Sequence, residues 1–551
     1  MGATLDCQVL IVGAGPTGLL LACELARRGL TVQIVDQKEG PTAESRALGV
    51  QSHTLELLDR LELAEPALAQ GVRIEGAVFR NGDRRIGEII LRAPEARYPF
   101  VLSLPQSDTE RLILGRLEKL GVPVQWETRV VDLVVDADHV AATLELANGE
   151  RRRVESAWLV GCDGAHSDVR TRLGVPFRGE REPEWFTLAD VQTDWELSRD
   201  RAHIFFHRDG PLAIFPLPSA NTIRIIAPLL KESSDGAPQP CLESFERLVR
   251  QRSGQSVRLH HAIWLSNFRI SRRIVDRYRA GRILLAGDAA HVHSPVGGQG
   301  MNTGLHDAFN LAWKLALVER CQAEATLLDS YHHERYPIGL RTLRCTRLAT
   351  KVITLRSRFA QGLRDFVVAR VSRCVGHRMF RAISMLDIDY RQSSLVEDQG
   401  EAGAGIKSKG LRAGDRAPDF PVHSSSAGFD RFHEALRSTK HVLAWFDDGQ
   451  TGPSTEAEVD LAGALDELAR NYAEILECYR ICHGGIAEGG TCWVGLLAAE
   501  PSATDFGTRM LYLIRPDGYI AWRGPAGRLS RLETYLERWF SAARLGSLVA
   551  L

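Results

Sequence analysis

At 551 residues the chain exceeds what one hydrophobic core ordinarily serves, so two or three domains are expected. Its 44% apolar and 25% charged residues are those of a soluble globular protein, and a net charge of −1 excludes a global attraction to nucleic acid or to an anionic membrane. No apolar run reaches the roughly 18 residues that span a bilayer, the glycine-broken run at 10–21 lacks the basic lead-in of a signal peptide, and ten scattered cysteines without a CxxC fit reduced thiols in a cytoplasmic protein.

Residues 8–12 form a short apolar run suited to a buried parallel strand. Gly13, Gly15 and Gly18 follow in GxGxxG spacing, with Pro16 and Thr17 between them. Residues 17–28 then have helical periodicity and stop at Gly29, and 31–35 read as a second strand closing on Asp36. The first glycine permits the tight turn, the second lets a pyrophosphate approach the backbone, and the third lets helix and strand pack closely. The helix N-terminus offers N–H groups to phosphates, and an acid at the Asp36 position accepts hydrogen bonds from a ribose. This fingerprint alone does not separate NAD from FAD.

Further along, residues 158–160 form an apolar strand leading into GCDGAHSDVR, and 283–286 form another leading into Gly287 and Asp288. Both are turns at strand ends that can reach a cofactor lying across the sheet edge. Between them, 180–272 is rich in β-type runs, at 186–191, 201–206, 212–215 and 222–226. Phe205, Phe206, Phe215, Arg224 and Trp264 are pocket candidates there, with Phe215 and Arg224 preferred; alternation on a sheet turns only about half of such residues to one face. Residues 302–314 read as a helix with Leu305, Phe309, Ala312 and Trp313 on its apolar positions. His291 and His293 form HxH but have no other ligands at useful spacing, so no metal is expected. His332 and His333 are read as surface residues of a helix ending before Pro337, and 356–381 as a basic, solvated helix face. Residues 399–410 have linker composition. In the tail after them, Cys478 and Cys482 are four apart, a spacing that can share a helix face, and a structural or dimer-contact role is expected rather than a redox one.

The three motifs GAGPTG, Asp163–Gly164 and Gly287–Asp288, in that order, resemble the class A flavoprotein monooxygenases, the single-component aromatic hydroxylases typified by para-hydroxybenzoate hydroxylase and phenol hydroxylase. The resemblance spans about residues 7–395. RALGVQSHTLELL and the tail look most like the bacterial aromatic polyketide hydroxylases and the phenol hydroxylase group. The implied fold is α/β: a Rossmann-like FAD-binding domain in two parts (1–179 and 273–395), an inserted β-sheet substrate domain (180–272), a linker (396–412) and a thioredoxin-like domain without CxxC (413–551). The resemblance also implies FAD and NAD(P)H as cofactors. Gly13, Gly15, Pro16, Thr17 and Gly18 match the diphosphate site, with Arg46 beside it, and Asp36 matches the adenosine ribose acid. Gln106 and Asp288 match residues along the ribityl chain. The loop with Pro295, Gly298, Gly300, Met301 and Asn302 matches the one beside the isoalloxazine. Asp163, Gly164, His166 and Arg170 match positions tied to both FAD and the pyridine nucleotide, for which the family has no second Rossmann domain. Glycines at 297, 298 and 300 let backbone lie against a flat ring, and the helix N-terminus after them stabilises negative charge on the reduced ring. Arg46, Pro295, Phe215 and Arg224 are the candidate catalytic residues.

The implied activity is hydroxylation of a phenolic or polycyclic, polyketide-type aromatic, with O2 and NAD(P)H, through a flavin hydroperoxide. The expected partners are a small aromatic substrate and O2, with no nucleic acid or membrane and with a homodimer left open. Baeyer–Villiger oxygen insertion and a non-catalytic flavin carrier remain as alternatives. A flavin halogenase is disfavoured because no two tryptophans are spaced W-x-W. Phenol hydroxylase places an aspartate shortly after the position matching Arg46, where this chain has Leu48. Either His53 or His207 deprotonates the substrate, or the substrate is itself acidic; the second reading is favoured, since carbonyl-conjugated polyphenols ionise near neutral pH.

Overall fold

The protein is described by a computed structural model covering residues 5–540 apart from 43–44, 46, 92–95, 230–238, 295–296, 354–361, 363–369, 371–376, 401–409, 424–427, 448–455, 484–492, 499–505 and 507–508. Cys7–Val12 pairs in parallel with Val32–Val35 on one side and with Arg151–Gly161 on the other, and Arg151–Gly161 pairs in parallel with Ile283–Leu285. These strands are near-continuous Val, Ile and Leu because both faces of the sheet are covered; Val9, Leu10, Ile11, Leu159, Val160, Ile283 and Leu284 are all buried. The register sets Val12 beside Val35 and Gly161, and Gly161 beside Leu285. Gly13, Asp36, Asp163 and Asp288 therefore emerge near one carboxyl edge, where open parallel sheets bind their ligands.

The helix Pro16–Arg27 begins at that edge. Pro16 stands in its first turn, where a missing N–H breaks no helical hydrogen bond. The helix packs against Gly300–Glu319, which is buried continuously from Asn302 to Ala316. The latter is longer at both ends than the expected 302–314. It has no solvent face there because Leu305, Ala308 and Leu311 belong to the main core while Trp313 belongs to a core shared with the C-terminal domain. The helix expected to stop before Pro337 instead runs Asp329–Ile353 with the proline inside it. An interior proline costs an isolated helix about 3 kcal/mol, and burial of Tyr331, Glu334, Arg335 and Ile338 offsets it here. His333 is exposed as expected, but His332 is half-buried against Tyr278 and Tyr336. The basic stretch 356–381 lies largely outside the described residues.

The second sheet has eight strands among the described residues. Its spine is the pair Phe177–Thr193 and Leu259–Val275, antiparallel from Phe177–Val275 to Thr193–Leu259. Thr222–Pro228, Leu212–Pro216 and Arg201–Phe206 follow outward from Phe177–Thr193. The sheet also takes in segments outside 180–272: the hairpin Gly76–Asn81 and Arg84–Ile90 on one edge and His291–Val292 on the other. One face packs Ala189, Val191, Phe205, Leu212, Ile214, Ile223 and Ile225 beneath the helix Leu242–Ser253.

The third sheet lies in the C-terminal domain. His441–Asp447, Leu476–His483 and Trp493–Ala498 are parallel neighbours, and Met510–Ile514 with Ile520–Pro525 add an antiparallel hairpin. With helices Glu456–Asn471 and Leu529–Trp539, this is a thioredoxin-like arrangement. Glu397–Asp398, at the start of the expected linker, joins its edge beside Trp522 and Arg523. Cys478 and Cys482 sit on a strand rather than on the expected helix; an even spacing puts both on one sheet face, and both are buried. No described helix is long and apolar enough to cross a membrane.

Several histidines are sealed in these cores. Burial pushes His306 and His441 down to about 3 and His53 well below its ordinary value. The unfolded chain takes up protons at these rings near pH 6.5, whereas the native state resists until pH falls much further. Their contribution is therefore fully present above about pH 6.5 and is lost as pH falls towards 3. The thermal midpoint should drop steadily between pH 7 and pH 5, with net proton uptake on unfolding at pH 5; a flat profile across that interval would contradict this burial.

Candidate active site

The glycine-rich turn is fixed by backbone contacts on all sides but one. Gly13 has φ +107°, and a Cβ there would lie 2.4 Å from the Cys162 carbonyl oxygen. A Cβ on Gly18 would lie 1.9 Å from the Gly13 oxygen, whereas one on Gly15 would meet no protein atom within 4 Å. The backbone at Gly15 thus faces open space in front of the helix N-terminus, the approach a pyrophosphate needs. Asp36 is buried; its Oδ2 accepts from the Ala14 N–H at 2.7 Å and its Oδ1 from the Lys38 N–H at 2.9 Å. Each oxygen keeps a lone pair for a ribose hydroxyl. Thr17 ties the turn to the later motif: its Oγ1 lies 2.6 Å from where a Cβ on Gly287 would be and 2.3 Å from that of Gly304.

At the second turn, Asp163 Oδ2 accepts from the Val169 N–H at 3.0 Å, while Oδ1 is buried with no hydrogen-bond partner among the described residues. Burial raises the carboxyl's pKa. An orphaned buried acceptor is costly unless a ligand donates to it. Gly164 adopts φ +78° with open space beside it, and His166 is exposed. Arg170 donates to the Ala165 and Ala289 carbonyls at 2.8 and 2.9 Å, and its guanidinium lies 3.9 Å from the Phe177 ring centroid. It braces the Asp163 turn against the Asp288 turn.

At the third turn, Gly287–Ala289 forms a single 3-10 turn with Asp288 exposed at its tip. Gly287 has φ +60°, and its N–H donates to Asp307 Oδ2 at 3.0 Å, the same oxygen that His291 Nε2 meets at 2.7 Å. The loop beyond is stapled to the chain after residue 48. Asn302 Nδ2 donates to the Gly49 and Gly298 carbonyls at 2.8 and 2.7 Å, and its Oδ1 accepts from the Gln51 N–H at 2.9 Å. Gln51 Nε2 donates to the Gly297 carbonyl at 3.1 Å. Gly297 and Gly298 take φ +91° and +62°, Gly300 opens the helix beside His293, and Met301 is half-buried against the main core. Gln106 accepts from the Ala47 N–H at 3.2 Å and donates to Glu110 at 2.8 Å. Arg46 and Pro295 lie outside the described residues. Gln51 and Asp307 were missed from the sequence. Gln51 lies in a segment already quoted for its resemblance, but Asp307 had no signal beyond being an acid inside an apolar helix.

The second sheet sorts the pocket candidates by alternation. Phe205 points to the Leu242–Ser253 side and is core, a correction to its placement in the pocket. Phe215, Asp190 and Trp264 are placed on the opposite face with Arg224 by cross-strand pairing. Phe206 stacks on Phe79 at 5.7 Å. Arg224 is fully buried and forms a two-pronged pair with Asp190, Nε and Nη2 each at 2.7 Å; its Nη1 reaches the Ala47 carbonyl at 3.3 Å. Arg224 therefore clamps the sheet to Ala47. His53 is buried, with Nδ1 3.2 Å from the Met385 carbonyl and its ring beside Tyr519. His207 sits at a strand end, accepting from the Asp209 N–H at 3.2 Å. No group of three or more His, Cys, Asp or Glu able to hold a metal occurs among the described residues.

The family model described as "FAD binding domain" matches residues 6–346, and that described as "Aromatic-ring hydroxylase, C-terminal" matches 411–543. The chain is 34% identical to a 6-methylpretetramide 4-monooxygenase of Streptomyces rimosus, covering 96% of this chain and 93% of the relative. It is 30% identical to a pentachlorophenol 4-monooxygenase of Sphingobium chlorophenolicum, covering 96% and 95%. An anhydrotetracycline hydroxylase structure from Streptomyces rimosus superposes with a TM-score of 0.76 at 30% identity, over 97% of this chain and 99% of that one. The chain belongs to the FAD-dependent aromatic-ring hydroxylases. It is an FAD-dependent monooxygenase that hydroxylates an aromatic substrate with O2 and NAD(P)H. The open side of Gly15 and the orphaned Asp163 oxygen fit the cofactor.

Gly15 already has φ −77°, which any residue adopts. Gly15→Val in this hydroxylase should therefore fold, with a thermal midpoint close to the parent apoprotein, yet emerge from purification without its yellow cofactor. A folded Gly15→Val protein that retains FAD at parent stoichiometry would disprove the placement of the diphosphate.

Proposed function

We propose that the hydroxylase acts on a polycyclic, polyketide-type phenol that is already ionised near neutral pH, and that the enzyme supplies no base to deprotonate it. The observation that carries this reading is Leu48: an apolar side chain stands where phenol hydroxylase is expected to place an acid, and the candidate bases are engaged. Asp190 is paired to Arg224, His53 is buried against Met385 and Tyr519, and His207 bonds to its own turn. The sheet face shared by Phe215 and Trp264 offers flat apolar surface to a ring system. Relatives named for 6-methylpretetramide and anhydrotetracycline support a fused-ring substrate.

In this reading Gly13, Gly15 and Gly18 hold the FAD diphosphate at the N-terminus of Pro16–Arg27, with Arg46 beside it. Asp36 takes the adenosine ribose, and Asp163, Gln106 and Asp288 serve the chain between. Gln51 and Asn302 hold the 297–302 segment in shape for the ring, and the Gly300–Glu319 helix would present its positive end to it. When bound, FAD supplies the two-electron chemistry that lets NAD(P)H and O2 be used on an aromatic carbon. The protein's part is to orient the phenolate against that ring and to keep water out. The division into a two-part FAD domain, an inserted substrate sheet and a tail domain belongs to the same reading, with the hairpin 76–90 added to the substrate sheet. So does a cytoplasmic location, where NAD(P)H is at hand.

The direct test is turnover with NADPH or NADH, isotopically labelled O2 and a panel of simple phenols and fused-ring polyphenols. One labelled oxygen should appear on a ring carbon of a fused-ring substrate. Oxygen inserted into a carbon–carbon bond, or reductant consumed with peroxide alone released across the panel, would overturn the assignment. A second test concerns ionisation: when reduced enzyme is mixed with O2 and a series of phenols, the pH midpoint of product formation should move with each phenol's own pKa. A midpoint that stays fixed across the series would reveal an enzyme base.

A further inference from the structure

We infer that the C-terminal domain is part of the flavin-binding apparatus, acting through Tyr390, Arg335 and Asp307 on the Gly287–Asp288 turn. The inference rests on the reading of that turn as a flavin contact.

Three buried anions, Asp307, Glu334 and Asp517, face three buried cations, Lys314, Arg335 and Arg515. Arg515, from the tail hairpin, donates to both oxygens of Glu334 at 2.6 and 3.0 Å and, through Nε, to Asp517 at 2.9 Å. Glu334 also accepts from Lys314 and Asn310, each at 2.7 Å. The Arg515 guanidinium lies 5.0 Å from the Tyr390 ring centroid, and the Tyr519 ring packs on Tyr390 at 4.2 Å. Tyr390 Oη accepts from Arg335 Nη1 at 2.9 Å, and Arg335 Nε donates to Asp307 Oδ1 at 2.7 Å. The other Asp307 oxygen holds the Gly287 N–H and His291.

The tail thus fixes a ring, the ring fixes a guanidinium, and the guanidinium fixes the carboxylate that sets the turn. The turn has little slack, because Gly287 is at φ +60° with Thr17 packed against it. Burial pushes the Asp307 carboxyl up, but His291 and Arg335 outweigh it and hold the group at about 2, fully ionised at neutral pH. Loss of the Tyr390 acceptor leaves Arg335 Nη1 without that partner and the guanidinium held only through the Thr303 carbonyl at 3.2 Å and Asp307, which loosens the Asp307 hold on Gly287. Asp307, Arg335 and Tyr390 are positioning residues in this scheme.

Tyr390→Phe tests it, because the ring remains for Arg515 and Tyr519 while the hydroxyl goes. The apoprotein should keep its thermal midpoint within a few degrees. Its FAD dissociation constant should rise about tenfold, the size expected for one hydrogen bond to a charged group, and the bound flavin's visible band should shift. The comparison variant is Arg437→Met, which breaks a separate tail contact, Arg437 to Asp59 at 3.1 Å. It should lower the apoprotein midpoint yet leave FAD affinity within about twofold. Parent-like affinity and spectrum in Tyr390→Phe, or a loss of FAD in Arg437→Met that tracks its loss of stability, would overturn the inference. Gly15→Val separates the two readings: if that variant folds and keeps FAD, the cofactor site is wrong, and if it loses FAD while Tyr390→Phe does not, only the coupling is wrong. Should Tyr390→Phe not fold, Tyr519→Leu, which takes the tail's ring off Tyr390 and His53 but leaves the Tyr390 hydroxyl, is read by the same measurements.

Discussion

Parallel strand pairing is the constraint from which the active site follows. Val12, Val35, Gly161 and Leu285 are neighbours in register, so whatever follows each of them in sequence lands at one edge. Three turns separated by more than a hundred residues become one surface with no long-range specification beyond runs of Val, Ile and Leu. The turns then differ by local chemistry: a glycine with its Cβ direction open, a carboxylate with an unpartnered oxygen, and an exposed aspartate on a left-handed glycine turn.

The second constraint is electrostatic. Charges taken out of water are tolerated when paired and hydrogen-bonded, and removing one partner of a buried pair costs about 3–5 kcal/mol. Asp307, Glu334 and Asp517 against Lys314, Arg335 and Arg515 meet that condition only when the tail is docked, since Arg515 and Asp517 come from it. Burial lowers the Lys314 pKa to about 8 even so. A tail that detached would take the Arg515 charge from Glu334 and leave it Lys314 with the neutral donors Asn310 and Ser393. Domain docking is thereby specified by charge balance as well as by the shared apolar core around Trp313 and Trp522.

This division explains what the sequence revealed. Strand–glycine–helix motifs are local, so the turns at Gly13, Asp163 and Gly287, the helices at 17–28 and 302–314 and the β-rich middle could be read directly. The resemblance added the cofactor. Pairing across the fold was invisible. Nothing about Arg224 in TIRII announces that Asp190 waits on the next strand, and nothing about HHERYP announces that Glu334 and Arg335 are buried while His333 is exposed. Pro337 suggested a helix end because propensity is local; tertiary burial overrode it. Cys478 and Cys482 were given helical spacing because a spacing of four suits a helix, yet the same spacing also keeps one face of a strand.

Substrate choice is the least legible property, and the fold shows why. The spine Phe177–Thr193 and Leu259–Val275 is paired from end to end apart from an interruption between Arg181 and Trp185, and it is fastened to the glycine-turn edge twice: Arg170 lies over Phe177, and Ile274 pairs with His291. The placement of the second sheet relative to the carboxyl edge of the first is therefore set largely by backbone pairing, not by the side chains on its open face. On a strand, residues alternate between the two faces, so positions such as 215 and 264 can change without disturbing Ile214 or Ile225 on the helix-covered side. Arg224 is the exception, because it must neutralise Asp190 and hold Ala47. A pocket built in this way can be refitted to new ring systems while its cofactor contacts and its scaffold stay the same, which is why motifs that identify the chemistry carry no information about the ring it is applied to.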